Sequence, residues 1–117
     1  METLENTVTA LCKFLSAKKA EDVKAIHVAD KTIITDWFII CSGRNETHVK
    51  ALYEYVDEFA NENGLVLKRT DGLQAGRWIV LDYSDILLHI FHPDERAFYN
   101  LDRLWDSGDN VLTFEEE

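Results

Sequence analysis

The chain reads as a single α/β (α+β) domain, a mixed five-stranded sheet flanked by helices in the order αββαβββα. Three observations lead there. The segment Trp37 to Cys41 is continuously apolar, as in a central strand covered on both faces. Separate stretches before and after it carry apolar residues at helical spacing along one side. And 117 residues, 46% hydrophobic and 11% aromatic, suffice for one core; a chain of this size buries roughly two thirds of its extended surface and does not fill two domains.

Leu4, Val8, Leu11, Cys12 and Leu15 define the first helix, with Glu5, Asn6, Lys13 and Lys18 on its other faces. Val23 to Val28 is extended, Asp30 and Lys31 supply a turn, and Thr35 to Ser42 is the most strand-like segment of the chain. Gly43 ends that strand. Asn45 caps a second helix with the stripe Val49, Leu52, Val56 and Phe59, Glu46 and Lys50 in the favourable i,i+4 order outside, and Asn63 with Gly64 as its stop. Leu65 to Arg69 is predicted as a short strand and residues 70–76 as a loop bracketed by glycines. Arg77 to Asp82 and Asp85 to Phe91 form two strands around Tyr83 and Ser84. Pro93 suits the first turn of a last helix whose inner face is Ala97, Leu101, Leu104 and Trp105, closed by Ser107 to Asn110. No repeat, linker or low-complexity segment interrupts this order, and Glu115, Glu116 and Glu117 make a short solvated terminus.

Acidic residues outnumber basic ones 22 to 12, a formal net charge of −10. Such a chain repels bare nucleic acid, and it has no cluster of four Lys or Arg to exchange for phosphate counterions. A basic protein surface suits it better. Cys12 and Cys41 are too few for a disulfide framework and match no zinc spacing, which indicates a reducing compartment. The opening METLENT has neither a secretory apolar stretch nor an Arg-rich transit character, and no run approaches a membrane span. A cytoplasmic location, no membrane partner and no cofactor are the expectations.

The hairpin at residues 77–91 is the most informative stretch, because strand side chains alternate faces and a two- or four-residue connection fixes the same pairing. In that register Leu81 lies opposite Ile86 and Ile79 opposite Leu88, an aliphatic core set. The reverse face pairs Asp82 with Asp85, Val80 with Leu87 and Trp78 with His89, and Phe91 lies beyond. Two carboxylates directly opposed cost roughly the 0.2–1 kcal/mol by which an opposite-charge pair would help. Three readings account for this face: a solvated turn, an apolar platform of Trp78, Val80 and Leu87 rimmed by Asp82 and Asp85 for a basic partner, or a face covered by a further helix. On the last helix Arg96, Tyr99 and Arg103 fall at i, i+3 and i+7, a common face that is either solvated or, with residue types favoured at interfaces, part of the same docking surface.

Catalytic readings are thinner. Asp82 and Asp85 with a magnesium ion, and Ser42 with Gly43 cradling a phosphate, would make a metal-dependent nucleotidyltransferase. Yet there is no extended glycine-rich loop and no nearby Lys after Gly43 of the Walker kind. His89 and His92, three apart on a strand, point to opposite faces and do not converge on a metal. His89 is instead partner-facing or hydrogen-bonded, and Cys41, in an apolar strand with no adjacent His, is core.

The segments DWFIICSG at 36–43, HVKAL at 48–52, GRWIVLDYSDILLHIFHP at 76–93 and RAFYNLDRLW at 96–105 together resemble the Iojap family, the ribosomal silencing factors. The likeness runs from about residue 3 to residue 106, leaving 1–106 as the family domain and 107–117 as an acidic C-terminal tail. It implies a fold similar to nucleotidyltransferases without their catalytic residues. It also implies binding to the large ribosomal subunit through its fourteenth protein, beside the intersubunit face, where steric occlusion keeps the small subunit from joining when nutrients fall. A homodimer off the ribosome is implied as well. Carried over by motif, the hairpin residues are Trp78, Asp82, Asp85 and His89, and the helix residues Arg96, Tyr99, Leu104 and Trp105. Trp37 stands where the family usually has tyrosine, a departure that touches core packing.

Overall fold

The computed structural model describes residues 3–114; the two residues before them and the predicted solvated terminus Glu115 to Glu117 lie outside. Helix α1 (Leu4–Ala17) starts where the Thr3 hydroxyl accepts the Asn6 N–H at 3.1 Å, and buries Val8, Leu11, Cys12 and Leu15 along one side. Strand β1 (Glu21–His27) leads to β2 (Trp37–Ser42), every residue of which is buried. Helix α2 (Glu46–Glu62) is capped by Asn45, whose Oδ1 accepts the His48 N–H at 2.8 Å, and its inner stripe is Val49, Leu52, Val56 and Ala60. Then follow β3 (Arg69–Asp71), β4 (Trp78–Asp82), β5 (Ile86–Phe91), the short helices α3 (Pro93–Tyr99) and α4 (Leu101–Trp105), and β6 (Val111–Phe114).

The strands form one mixed sheet in the order β3-β4-β5-β2-β1-β6, with β2 and β5 parallel at its centre and the other pairs antiparallel. One face, with Ala25, Ile39, Ile79, Leu81, Leu88 and Ile90, packs under α1 and α2. The other face carries Ile26, Val28, Phe38, Ile40 and Phe91, with Leu101 and Trp105 of α4 against them. Coverage on both sides is what makes an uninterrupted apolar run stable in β2, since neither alternating set meets water. Among the described residues no helix is long and apolar enough to cross a membrane.

Four expectations need correcting. Among the described residues the sheet has six strands, not five: residues Val111–Phe114, inside the segment taken as tail, pair antiparallel with β1, Val111 opposite Ile26 and Phe114 opposite Val23. The β-branched and aromatic residues of this VLTF stretch carry a strand preference that acidic neighbours mask. Second, the strand expected at residues 65–69 forms later, over Arg69–Asp71, and pairs with β4 at the sheet edge.

Third, the hairpin register is offset by two residues. Trp78 lies opposite Phe91, Val80 opposite His89, Leu81 opposite Leu88 and Asp82 opposite Leu87. The turn is Ser84–Asp85: the Tyr83 N–H donates to the Ile86 carbonyl at 2.9 Å, Ser84 adopts a left-handed φ of 74°, and its N–H donates to Asp82 Oδ1 at 2.9 Å. An offset of two leaves every side chain on its predicted face. It also separates the two carboxylates that the predicted register would have opposed, and it buries Tyr83 on the helix-covered face.

Fourth, the last helix is broken. Asn100 sits in the left-handed region at φ 45° and ψ 49°, and α4 starts afresh after it. Ala97 and Leu104, expected inside, are therefore exposed, whereas Leu101 and Trp105 pack inward as predicted. Arg96, expected on an outer face, is buried.

Candidate functional site

Trp78 stands at the start of β4, on the sheet face that α1 and α2 do not cover. Its indole stacks on Phe91 of β5 (4.9 Å between centroids, 26° between planes) and meets Tyr99 of α3 at 4.8 Å. Its Nε1–H donates to Nδ1 of His89 at 3.0 Å. The alternation of β5 aims both Phe91 and His89 at this face, so the tryptophan is held by two side chains of one neighbouring strand. Phe98 packs edge-on to Tyr99 at 5.0 Å while remaining 81% exposed.

His89 itself is buried, and burial pushes its imidazole down to about 4, with the carboxylate of Asp102 only partly opposing the shift. The ring is thus neutral at pH 7. Because Nδ1 accepts the Trp78 hydrogen bond, the proton is assigned to Nε2, which is buried and has no hydrogen-bond partner among the described residues. Of the two roles left open for this histidine, hydrogen-bonded and partner-facing, the geometry selects the first: His89 orients the tryptophan from beneath.

Val80 and Leu87 continue the face along the hairpin, both half-buried, and Asp82 is half-buried at its far end with Asp85 exposed in the turn. Trp78, Val80, Leu87 and Asp82 therefore do lie along one side, with Asp85 in the turn at its end. The solvated-turn reading holds for Asp85 alone, and the covered-face reading holds for Phe38 and Phe91, over which α4 and Trp78 lie. Between them a partly open apolar strip remains. It widens beyond Trp78 through Tyr99 and Phe98, and Leu104 of α4 is 74% exposed. Sequence reasoning missed Phe98 and misplaced Leu104; the adjacent Phe98–Tyr99 pair was the available signal for the first, and Asn100, a residue that tolerates the left-handed region, for the second.

Arg96 does not belong to that surface. Its guanidinium takes Asp102 at both oxygens (Nε to Oδ1 3.1 Å, Nη2 to Oδ2 2.7 Å), donates through Nη1 to the Ser42 hydroxyl at 3.0 Å and through Nη2 to the Asp22 carbonyl at 2.9 Å. Lys24 adds a further contact to Asp102 at 3.3 Å. Burial alone would raise the Asp102 carboxyl, but the hydrogen bonds and charge of Arg96 hold it below the usual carboxylate range. Arg96 is a clamp between the helical segment and the ends of β1 and β2. Tyr99, by contrast, stays half exposed beside Trp78.

The catalytic alternative does not assemble. Ser42 is level with Phe91 and hence with Trp78, whereas Asp82 is level with Leu87 and Phe38. Four residues of strand, about 13 Å, separate these two ends of the sheet. The Ser42 hydroxyl is occupied by Arg96, and Gly43 is needed for packing: a Cβ there would meet Val49 Cγ2 and the Val49 backbone nitrogen at 2.8 Å. Among the described residues no group of three or more His, Cys, Asp or Glu side chains is placed to hold a metal ion. His92 caps α3, its Nδ1 accepting the Asp94 N–H at 3.2 Å, and Cys12 and Cys41 are free and buried in the core.

The family model described as ribosomal silencing factor during starvation matches residues 1–117. A ribosomal silencing factor RsfS of Halalkalibacterium halodurans is 40% identical over 94 residues, 80% of either chain. That of Bacillus subtilis is 38% identical over 95 residues, 81% of this chain and 79% of the relative. A crystal structure of a Bacillus halodurans protein superposes with a TM-score of 0.80 at 33% identity, covering 94% of this chain and 99% of the other.

Proposed function

Because the chain belongs to the ribosomal silencing factor family, whose members are non-catalytic proteins acting on ribosomes, we propose that it docks through the Trp78–Tyr99 face onto a basic protein of the large subunit, the fourteenth. From there it keeps the small subunit from joining and represses translation when nutrients are limiting. The family likeness stated from the sequence motifs suggests the particular partner. The observation that carries the reading is the aromatic strip itself: Trp78 locked by His89 and Phe91, beside exposed Tyr99 and Phe98, on a chain of net charge −10. Apolar anchors of this kind supply affinity, and a surrounding field of carboxylates selects a cationic partner and repels RNA.

Occlusion needs no chemistry. An interface of standard size, about 1,600 Å² in total, is enough if it lies where a second subunit would clash, and binding then excludes the competitor by mass action. The mixed sheet with a parallel central pair is compatible with a scaffold similar to nucleotidyltransferases, its phosphate-cradle position filled by α2. Off the ribosome, a second copy is the natural cover for the same strip, as a homodimer.

Co-sedimentation with purified large subunits through a sucrose gradient tests the proposal directly. The chain is expected in the large-subunit fractions, and added small subunits should fail to form the complete ribosome in proportion to its occupancy. Full subunit joining with the chain saturating, or no co-sedimentation, overturns the proposal.

A further inference from the structure

The connection between β1 and β2 carries the most exposed apolar side chain of the described residues, Ile33, next to a second exposed one. Ile33 is fully exposed and Ile34 is 69% exposed, and neither packs on either side of the sheet. This loop is built. The Lys31 and Thr32 N–H groups both donate to the Val28 carbonyl, at 2.9 and 3.0 Å, the Ile34 N–H donates to the Thr32 hydroxyl at 3.2 Å, and the Thr35 hydroxyl donates to the Trp37 carbonyl at 3.4 Å. Local hydrogen bonds thus hold the segment in a shape that puts two adjacent isoleucines at its tip. Residues that serve the fold would be turned inward, and a loop selected only for solubility would be polar there.

Its position relates it to the docking strip. The Asp36 N–H donates to the Asp85 carbonyl at 3.2 Å, so the end of this loop is tied to the turn of the β4–β5 hairpin. Ile34 is two residues from Asp36, which limits their Cα separation to about 7 Å. The strip runs from Trp78 through Val80 to Asp82 and Leu87, about 13 Å of strand, and the backbone tie of Asp36 to Asp85 puts the isoleucine loop at that same end of the sheet. One partner's share of a standard interface, about 800 Å², corresponds to a patch roughly 30 Å across and reaches from Trp78 to the loop. The charges beside the tip have the sign of the strip's rim: Asp30, Asp36 and Asp85, against Lys31 alone within residues 29–36.

We infer that Ile33 and Ile34 form a second apolar anchor of the docking surface, inserting into an apolar pocket bordered by Lys or Arg side chains on the same large-subunit protein that Trp78 engages. This rests on the docking reading above and adds a contact to it. A protein is the occupant because the three carboxylates beside the tip oppose a phosphate backbone, while they complement a basic protein surface. Two separated anchors also set the orientation of the bound chain, which occlusion requires and one anchor leaves free to rotate.

The test compares Ile33→Ser/Ile34→Ser and Ile33→Leu/Ile34→Leu with Trp78→Ala, measuring affinity for purified large subunits, thermal midpoint and sedimentation of the free chain. The serine pair should bind at least tenfold more weakly with an unchanged thermal midpoint, and the leucine pair should bind nearly normally. Full affinity of the serine pair beside a weakened Trp78→Ala overturns the second anchor and leaves the docking face standing. Full affinity of both overturns the docking face as well. A serine pair that binds normally but shifts from dimer to monomer assigns the tip to self-association and overturns the inference. Should the double variant unfold, Ile33→Ser alone, at the fully exposed position, decides by the same affinity criterion.

Discussion

The indole N–H of Trp78 and Nδ1 of His89 are joined at 3.0 Å across the β4–β5 pair, and the histidine is the buried member. Trp78, the anchor of the proposed docking face, is thereby oriented by a residue buried beneath it. Trp78→Phe keeps the stacking on Phe91 but leaves His89 Nδ1 without its donor, an unsatisfied buried acceptor worth about 1–3 kcal/mol. Urea unfolding should show that loss. Trp78→Ala also removes the anchor, and its affinity for large subunits should fall by more than about 1 kcal/mol in a titration; wild-type affinity for a folded Trp78→Ala would remove the anchor from the account.

The burial of the same histidine sets the sign of an expected pH dependence of stability. Burial lowers its folded value to about 4 from an ordinary 6.5, so the unfolded chain takes up a proton first. The contribution is complete above about pH 6.5 and is lost as pH falls from there through 4, up to about 3 kcal/mol in all. Denaturation curves at pH 7, 5.5 and 4.5 should show this decline, and His89→Gln should flatten it by comparison with wild type. Equal slopes for the two proteins would place the titrating group elsewhere.

Removing one partner of the Arg96–Asp102 clamp leaves the other charge buried beside Ser42. Asp102→Ala should cost about 3 kcal/mol of stability in urea unfolding, in the range for breaking a buried pair. Since Arg96 also ties α3 to the carbonyl of Asp22, Arg96→Ala should loosen the helical segment under Tyr99 and lower subunit affinity secondarily. Stability near wild type for both variants would contradict the clamp.

Asp85 is exposed in the hairpin turn and lies beside the proposed contact without a hydrogen bond to its carboxylate among the described residues. Asp85→Lys should chiefly slow association with large subunits, and the deficit should shrink as salt rises, since Debye screening at about 0.15 M salt already acts over about 8 Å. Stopped-flow or surface-binding kinetics at two ionic strengths measure it. A rate unchanged at low salt excludes a charged rim there.

Local pattern made much of this molecule legible. The apolar stripe of α1, the Asn45 cap of α2, the buried strand Trp37–Ser42 and the Pro93 start of α3 stand where spacing and cap chemistry put them. The two faces of the hairpin were correctly sorted even though its register was not, because a shift of two residues conserves parity. What parity does not encode is which two residues make the turn, and that depended on Asp82 capping Ser84 and on Tyr83 finding room under α2.

By itself, then, the sequence determined an acidic α/β domain, the sides to which its strands point, and a tryptophan beside a histidine on the less covered one, since these follow from periodicities of two and 3.6 and from composition. Tertiary structure alone decided the fate of Arg96 and its neighbours. Six residues along an unbroken helix lie about 120° apart around the axis, so Arg96 and Asp102 meet only because Asn100 breaks the helix. The groups around that guanidinium come from residues 22, 42 and 102. No local spacing records such a meeting; it exists only once the sheet has brought the ends of β1 and β2 beneath the chain's last helices.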